Sequence, residues 1–432
     1  MTPYPEYKAT NLPWLPQVPA HWDWLMLSQL TEEQCVKNIG CQEKNVLSLS
    51  YGNIIRKKNI YSGLSPQDFA TYQIVFPDNI ILRLTDLQND HRSLRTGLAK
   101  EKGIITSAYT CLKVYSNASF VHYLLHAYDL RKVFYGMGGG VRQSIGFKDI
   151  RSLRFPVAPA SEQEQIVRYL DSMTAKINKL IRAKKKQIAL LQEQKQAIIN
   201  QAVTKGLNPN AEMKDSGIDW LGQIPAHWEV KKAKYCVNIN HGSDPVTEGN
   251  VPVYGSGAGS FKTCGEFKEG PAVLVGRKGA TLHIPHYITG KYWNVDTAFD
   301  VKAKKNFFLH FYYFLATCFD YHFYISQTTL PSMTQTDYLN MKLPVPPQKE
   351  QYDIIQYLVM QDEKFDNLIT EIKNIINSLF EYKNSLIACV VTGQVDVRNI
   401  QVEDFDPADL ISETDDDPAE DDDQLQEESE VE

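Results

Sequence analysis

Several features that would sort this chain into a familiar class are missing from it. Its seven cysteines are odd in number and form no Cys-x-x-Cys pair, which argues against a disulfide framework or a structural zinc site and predicts reduced thiols. No basic, then apolar, then small-residue segment opens the sequence. The most apolar window, NFFLHFYYFLATCFDYHFYI at 306–325, is interrupted by His310, Asp320 and His322, so it reads as a buried amphipathic helix rather than a membrane span. These absences point to a cytoplasmic protein without a membrane partner. There is no Walker A loop and no Asn-Pro-Pro-aromatic motif, and GMGGGV at 136–141 lacks the strand, helix and acidic residue that a dinucleotide fingerprint requires.

What is present is a globular composition, 43% hydrophobic and 22% charged, in 432 residues. That length exceeds one ordinary core and predicts two or three domains. Charge is distributed unevenly. Residues 401–432 hold 16 acidic and no basic side chains, so of 45 basic and 52 acidic residues in all, 45 and 36 remain in 1–400. The body is thus +9 and the tail −16. The tail lacks apolar surface to offset ordering and is expected to be disordered, either as a solubilising appendage or as a regulator imitating nucleic acid.

The chain repeats itself. LPQVPAHW at 15–22 returns as LGQIPAHW at 221–228, an offset of 206. FVHYLL at 120, RFPVAPASEQEQIVRYL at 154 and AIINQAVT at 197 return as FLHFYY, KLPVPPQKEQYDIIQYL and SLIACVVT at a constant offset of 188. The stretch between the first and second sets is therefore 18 residues longer in the first copy. A fixed frame surrounds a variable middle in each copy, and such a spacing suits tandem domains rather than a solenoid.

Each copy ends in a long helical pattern. From Ile354 a strict alternation of four and three residues picks out Ile354, Leu358, Gln361, Phe365, Leu368, Ile372, Ile375, Leu379, Tyr382, Leu386 and Cys389, the seam of a coiled coil. The equivalent seam from Ile166 is weaker and is reinforced by Ile181, Ile188 and Ile199. Pro159 and a Ser161-x-x-Glu164 capping box set the first helix's start, while Gly206 with Pro209 and then Gly393 mark the two stops. Over 161–204 such a helix would be about 66 Å long. The obvious partner for each helix is the other, antiparallel; pairing in trans to form a dimer is the alternative. The middles, with runs such as NVLSLSYGNII, QIVFPDNIILRL, GPAVLVGRKG and KYWNVDTAFDVKA, predict short strands, and the aromatic blocks at 119–135 and 307–325 predict helices packed on them. The fold class is α+β: two globules of similar fold, each followed by a long helix, the two helices pairing as an antiparallel coiled coil in a pseudo-twofold tandem repeat. Its expected parts are a first globule at 1–155, a helix at 156–206, a second globule at 207–343, a helix at 344–394 and an acidic tail at 395–432.

Two Pro-x-His-Trp starts, the segments YGMGGGVRQSI and ISQTTLPSMT, two proline-led Glu-Gln helix starts and a closing VVTGQVDV resemble the specificity subunits of type I restriction-modification systems. VPVYGSGAGSF followed by GPAVLVGRKG is similar to their target-recognition domains. The resemblance covers residues 10–400 and leaves the acidic tail outside. It implies a prokaryotic, cytoplasmic, non-catalytic subunit that binds double-stranded DNA at a bipartite asymmetric site. One target-recognition domain would read each half, with the antiparallel helices setting the gap. It also implies two methyltransferase subunits, which bind S-adenosylmethionine, and restriction and translocase subunits, which use ATP and Mg; no cofactor or metal is expected in this chain.

Candidate DNA contacts follow from side-chain chemistry, since Arg suits guanine and Asn or Gln suits adenine. In the first globule they are Arg83, Asn89, Arg92 and Arg95 in RLTDLQNDHRSLRTG, with Arg142 and Gln143 after a glycine-rich turn. In the second they are Tyr254, Ser256, Arg277, Lys278, Asn294, Thr328 and Thr329. Phosphate contacts outnumber base contacts, so about half of these at most should read sequence. The run Lys184-Lys185-Lys186 reads as a solvated face that could also meet phosphates. His21 and His227, each beside a Pro and a Trp with no acid or nucleophile at fixed spacing, read as packing or capping residues. A self-contained nuclease and a coiled-coil scaffold that binds DNA without specificity are the alternative readings.

Overall fold

A computed structural model of the chain describes residues 2–50, 52–57, 69–85, 95–137, 144–218, 220–257, 259–321, 324–325 and 331–410. Four helices organise it: α1 (Ala118–Leu130), α2 (Ala160–Lys205), α3 (Leu309–Ala316) and α4 (Gln348–Val391). The chain divides into two units, one formed by Met1–Lys185 with Lys373–Glu432 and the other by Lys186–Ile372. Both long helices contribute to both units.

The first unit's globule holds antiparallel strands in the order Thr96–Leu98, Ile80–Leu82, Thr110–Val114, Thr31–Glu33, and a second set, Gly103–Ile105, Gln73–Val75, Val36–Lys37. A core of Leu47, Val75, Ile81, Ala99, Ile105, Tyr109 and Cys111 lies among them. In the second unit's globule, Val237–His241, Ala298–Ala303, Ala272–Gly276 and His286–Ile288 form one four-stranded sheet. Ser260–Cys264, Val251–Tyr254, Lys291–Asn294 and Lys268–Glu269 form another, whose middle pair is parallel. The α+β class and the short strands agree with the sequence pattern. Among its described residues the 306–325 window yields the eight-residue α3, because its rings pack in several directions against one core instead of along a single helical face.

Both globules are closed by the same clasp. Asp23–Met26 pairs with Arg154–Val157, and Glu229–Lys232 pairs with Lys342–Val345, in the same antiparallel register. The strand after each Pro-x-His-Trp phrase thus binds the strand leading into the following long helix. At each helix start a proline carbonyl accepts from a first-turn amide, Gln163 N to Pro159 O at 2.9 Å and Gln351 N to Pro347 O at 3.0 Å. The glutamine side chains repeat as well, donating at 2.8 Å to Ala158 O and Pro346 O. Because α2 begins at Ala160, Ser161 already lies inside it and does not act as the expected capping residue.

Within the first unit, Lys383 Nζ donates to Asn178 Oδ1 at 3.2 Å; within the second, Lys195 Nζ lies 2.8 Å from Asp362 and 2.7 Å from Asp366. Moving up α2 therefore moves down α4, and the helices pair antiparallel within this chain. Their seam differs in register from the sequence expectation. The covered positions on α4 are Ile354, Leu358, Gln361, Phe365, Ile369, Ile372, Ile376, Leu379, Lys383, Leu386 and Val390, which span 36 residues in ten turns. On α2 the same positions of the repeat are covered, from Ile166 through Ile181, Ile188 and Lys195 to Ala202. That is the 3.6-residue period of an undistorted α-helix rather than the 3.5 of a strict heptad. Leu368, Ile375 and Tyr382 consequently stand 38%, 43% and 44% exposed.

The acidic tail also departs from expectation over its first part. Residues 397–410 lie along α2, with Gln165 Nε2 donating to the carbonyls of Val397 and Ile400 at 3.0 and 2.7 Å. Ser172 Oγ donates to Glu403 O at 3.1 Å, and Asn178 Nδ2 to the carbonyls of Asp409 and Leu410, both at 3.1 Å. Side chains of the helix supply the donors that this apolar-poor segment cannot find within itself. Residues 411–432 lie outside the described residues.

Candidate nucleic-acid interface

The repeated phrase builds a corner in each unit. Trp22 and Trp228 are buried, 1% and 0% exposed. Each indole donates to a first-turn glutamate, Trp22 Nε1 to Glu162 Oε1 at 3.1 Å and Trp228 Nε1 to Glu350 Oε2 at 2.9 Å. The neighbouring histidine completes the carboxylate, His21 Nε2 at 2.9 Å and His227 Nε2 at 2.6 Å. The same indoles cover the ends of the opposite helices. Gly393, at φ +76, ends α4 so close to Pro19 that a Cβ would come within 2.3 Å of its Cδ. Gly206, at φ +72, ends α2 where a Cβ would come within 3.1 Å of Trp228 Cζ2. Each corner therefore ties the start of one long helix to the end of the other, and each histidine, 41% and 51% exposed, is held by a first-turn glutamate that its sequence surroundings did not show.

In the second globule the strand ends converge on a polar edge. Tyr254 and Asn294 close two parallel strands and pair with each other, and Val295 N donates to Tyr254 O at 3.0 Å. Arg277 and Lys278 follow Ala272–Gly276, held by Arg277 N donating to Thr297 O at 2.7 Å and by a bridge from Lys278 to Ser332. Gly279 approaches Ser256 so closely that a Cβ would lie 3.0 Å from Ser256 Oγ. His286 Nε2 lies 2.6 Å from Gly257 O, with its ring 6.3 Å from that of Tyr254. Tyr254, Ser256, Arg277 and Lys278 thus stand at or just beyond the ends of two strands, Val251–Tyr254 and Ala272–Gly276, all partly exposed. Arg277 Nη1 donates to Asp296 O at 3.1 Å and lies 3.5 Å from its carboxylate, a surface pair that holds the fork without burying it. His286, Gly279, Asp296 and Thr297 belong to this edge although sequence reasoning did not single them out; the glycines of YGSGAG and GRKG were the available signal.

Asn294 differs from its neighbours. It is 0% exposed, donates to Ala298 O at 2.8 Å and accepts from Lys268 Nζ at 2.7 Å, so it fixes the edge from beneath. Arg95 has the same character in the first globule. It is 4% exposed, its Nη1 donates to the carbonyls of Arg83, at 3.2 Å, and Thr85, and its backbone amide donates to Asp129 Oδ2 at 3.0 Å. Its guanidinium lies 5.6 Å from the Tyr135 ring centre. These bonds fasten the base of the connection between Ile80–Leu82 and Thr96–Leu98, beside which Arg83 is half-buried. Asn89, Arg92, Arg142, Gln143, Thr328 and Thr329 lie outside the described residues.

This edge offers hydroxyls, a phenol, a guanidinium and an ammonium group, the donors and acceptors that duplex edges and phosphates accept. Among the described residues no group of three or more His, Cys, Asp or Glu side chains is placed to hold a metal ion, and no helix is long and apolar enough to cross a membrane.

Comparison with known proteins places the repeated frame. The family described as Type I restriction modification DNA specificity domain matches residues 97–190 and 225–379, more than half of the chain. The chain is similar to the Type I restriction enzyme MjaVIII specificity subunit of Methanocaldococcus jannaschii, 30% identical over 173 residues, 39% of this chain and 38% of that relative. The match therefore spans little more than a third of that protein's length. A putative type I restriction enzyme MjaX specificity subunit of the same organism is 23% identical over 401 residues, 85% of this chain and 90% of that relative. A solved chain, described under complex assembly and conformational transition of the type I R-M system, superposes with a TM-score of 0.64 at 12% identity, covering 88% of this chain and 99% of that one. At that identity the likeness speaks to the fold. Both matched stretches run from a recognition globule into the long helix behind it, and the chain belongs to the type I restriction-modification DNA specificity family.

Proposed function

We propose that this chain is the sequence-reading subunit of a type I restriction-modification complex and carries out no chemistry itself. Each globule reads one half of a bipartite, asymmetric site in double-stranded DNA. The paired helices set the number of unread base pairs between the halves. Two methyltransferase subunits, carrying S-adenosylmethionine, dock on the duplicated frame, and restriction subunits using ATP and Mg join them.

The observation that carries this reading is the contrast between a frame repeated bond for bond and globules that share the strand order of one four-stranded antiparallel sheet but differ in their second sheets and in the length of the stretch between the repeated segments. A frame built twice offers two equivalent surfaces to two identical partners, whereas globules that share a sheet but differ in their second sheets and connections offer two different faces to DNA. Tyr254, Ser256, Arg277 and Lys278 are assigned to direct contact in the second globule. Arg83, Asn89, Arg92, Arg142 and Gln143 in the first, and Thr328 and Thr329 in the second, are assigned to contact on their chemistry alone. Arg95 and Asn294 act as positioning residues, because their polar atoms are committed internally.

The test is a genome-wide map of modified bases in cells carrying this chain and its methyltransferase. The expected result is one motif with two short halves and a fixed gap. Arg277→Ala should relax one half only, and deleting a heptad from both helices, ~10.5 Å of rise, should shift the gap by about three base pairs. A continuous motif, or equal relaxation of both halves, would contradict independent readers.

A further inference from the structure

The strap at 397–410 sits on a face of α2 that the duplication does not explain. Lys176 Nζ lies 2.8 Å from Glu403 Oε2, and Arg182 pairs with Asp409. Neutral side chains hold the strap's backbone while cations meet its carboxylates. In the repeat, Lys176, Lys179, Arg182 and Lys185 correspond to Lys364, Asn367, Thr370 and Lys373 on α4. The second copy carries two cations at these positions and the first carries four, so this charge is not a requirement of the repeated frame. The four occur on the helix that the acidic segment covers.

Leu410, the last described residue, is anchored at Asn178. The 22 residues that follow, 411–432, contain 12 acidic and no basic side chains. Fully extended they reach at most about 70–80 Å, so every cation of this face lies within range. Carboxylates on guanidinium and ammonium groups use the same donors that phosphate oxygens would use.

We propose that residues 397–432 are a built-in competitor for duplex DNA on the basic face of α2, anchored by the strap and discouraging DNA that lacks the recognition site. Non-specific binding is almost wholly electrostatic and must displace the acidic segment. Base contacts made by the globule loops do not involve this face. The inference rests on the reading that the chain binds duplex DNA.

The experiment uses the full chain with its methyltransferase in three forms: unaltered, lacking 411–432, and with the 12 acidic residues of 411–432 changed to Asn or Gln. Fluorescence anisotropy measures binding to a duplex without the mapped site and to one containing it. Both altered forms should bind the site-less duplex roughly tenfold or more tightly at low salt, with the gap closing as salt rises. Affinity for the site-containing duplex should change less, and a synthetic 411–432 peptide added to the shortened form should reverse the gain. Equal site-less affinity in all three forms, with discrimination intact, overturns this inference and leaves the recognition reading standing. A gain by the altered forms without discrimination in any of them supports the competitor and sinks the sequence reader. No binding to either duplex by any form sinks both.

Discussion

The corner of the first unit and the corner of the second are assembled from the same parts, yet the carboxylates at their centres have different surroundings. Glu162 accepts from Tyr4 Oη at 2.5 Å as well as from Trp22, and its side chain is 6% exposed. Glu350 accepts from Trp228 without a tyrosine and is 38% exposed. The difference originates outside the repeat. Tyr4 corresponds to Asn210 in the second copy. It is covered by Arg398, whose guanidinium lies 4.9 Å from the Tyr4 ring centre, and Asp396 N donates to Thr2 O at 2.9 Å beside it. Burial, and then the Glu162 carboxylate, push the Tyr4 hydroxyl well above its ordinary range, so it remains a donor. A duplicated frame thus keeps its bonds, while the depth at which each bond is buried depends on neighbours that are not duplicated.

The comparison breaks most readily at the indoles. Trp22→Ala and Trp228→Ala should each cost about 3–5 kcal/mol in their own unit, read as lost hydrogen-exchange protection there. A loss confined to one of the two would mean that the corners are not equivalent. Next comes the seam. Ile369→Ala should cost about 2–4 kcal/mol, whereas Leu368→Ala should cost under about 1 kcal/mol; urea midpoints in the reverse order would restore the strict heptad. The carboxylates sharpen the contrast further. Glu162→Ala leaves two buried donors unpaired and should cost about 2–3 kcal/mol, against about 1 kcal/mol for Glu350→Ala.

Those outcomes bear on what the sequence made legible. The two corners were visible as a repeated phrase, but the partners of the two histidines were not. The acids they meet are 141 and 123 residues away, a proximity that only folding creates. The long helices and their stops were readable because periodicity and glycine carry that information locally. The seam's register was not, since 3.5 and 3.6 residues per turn diverge by one residue over its length. Neighbouring apolar pairs such as Leu368-Ile369 and Ile375-Ile376 satisfy either pattern. At the edges proposed to meet DNA, chemistry selected suitable side chains but could not tell which point outward, and Arg95 and Asn294 turned inward to satisfy carbonyls of their own loops. For the acidic segment, composition showed that it has no core of its own, and the partner that orders its first part is a helix more than 200 residues earlier.

The smallest expected effect concerns the helices packed on the sheets, where the first copy carries a second histidine and the other copy a phenylalanine. His122 and His310 occupy the same place in the repeat, but His126 corresponds to Phe314. Ring centres are 6.5 Å apart in the His122–His126 pair and 5.0 Å apart in the His310–Phe314 pair. Burial pushes His122 down to about 4 despite the Thr96 carbonyl nearby. His126 falls to about 3 through burial, then through His122 and Lys383. His310 is also lowered by burial, opposed by Asp362. Because the folded values lie below the ordinary 6.5, the unfolded chain takes up protons first as pH falls. Stability is therefore full above about pH 6.5 and declines from there toward pH 3–4. At pH 5 one such histidine accounts for at most about 2 kcal/mol of that loss. His126→Phe, which gives α1 the ring that α3 already carries, should leave stability at pH 7.5 nearly unchanged and reduce the loss at pH 5 in the first unit alone. Unfolding curves at the two pH values check this; an unchanged acid loss would mean that His126 is not what makes the first globule more acid-sensitive than the second.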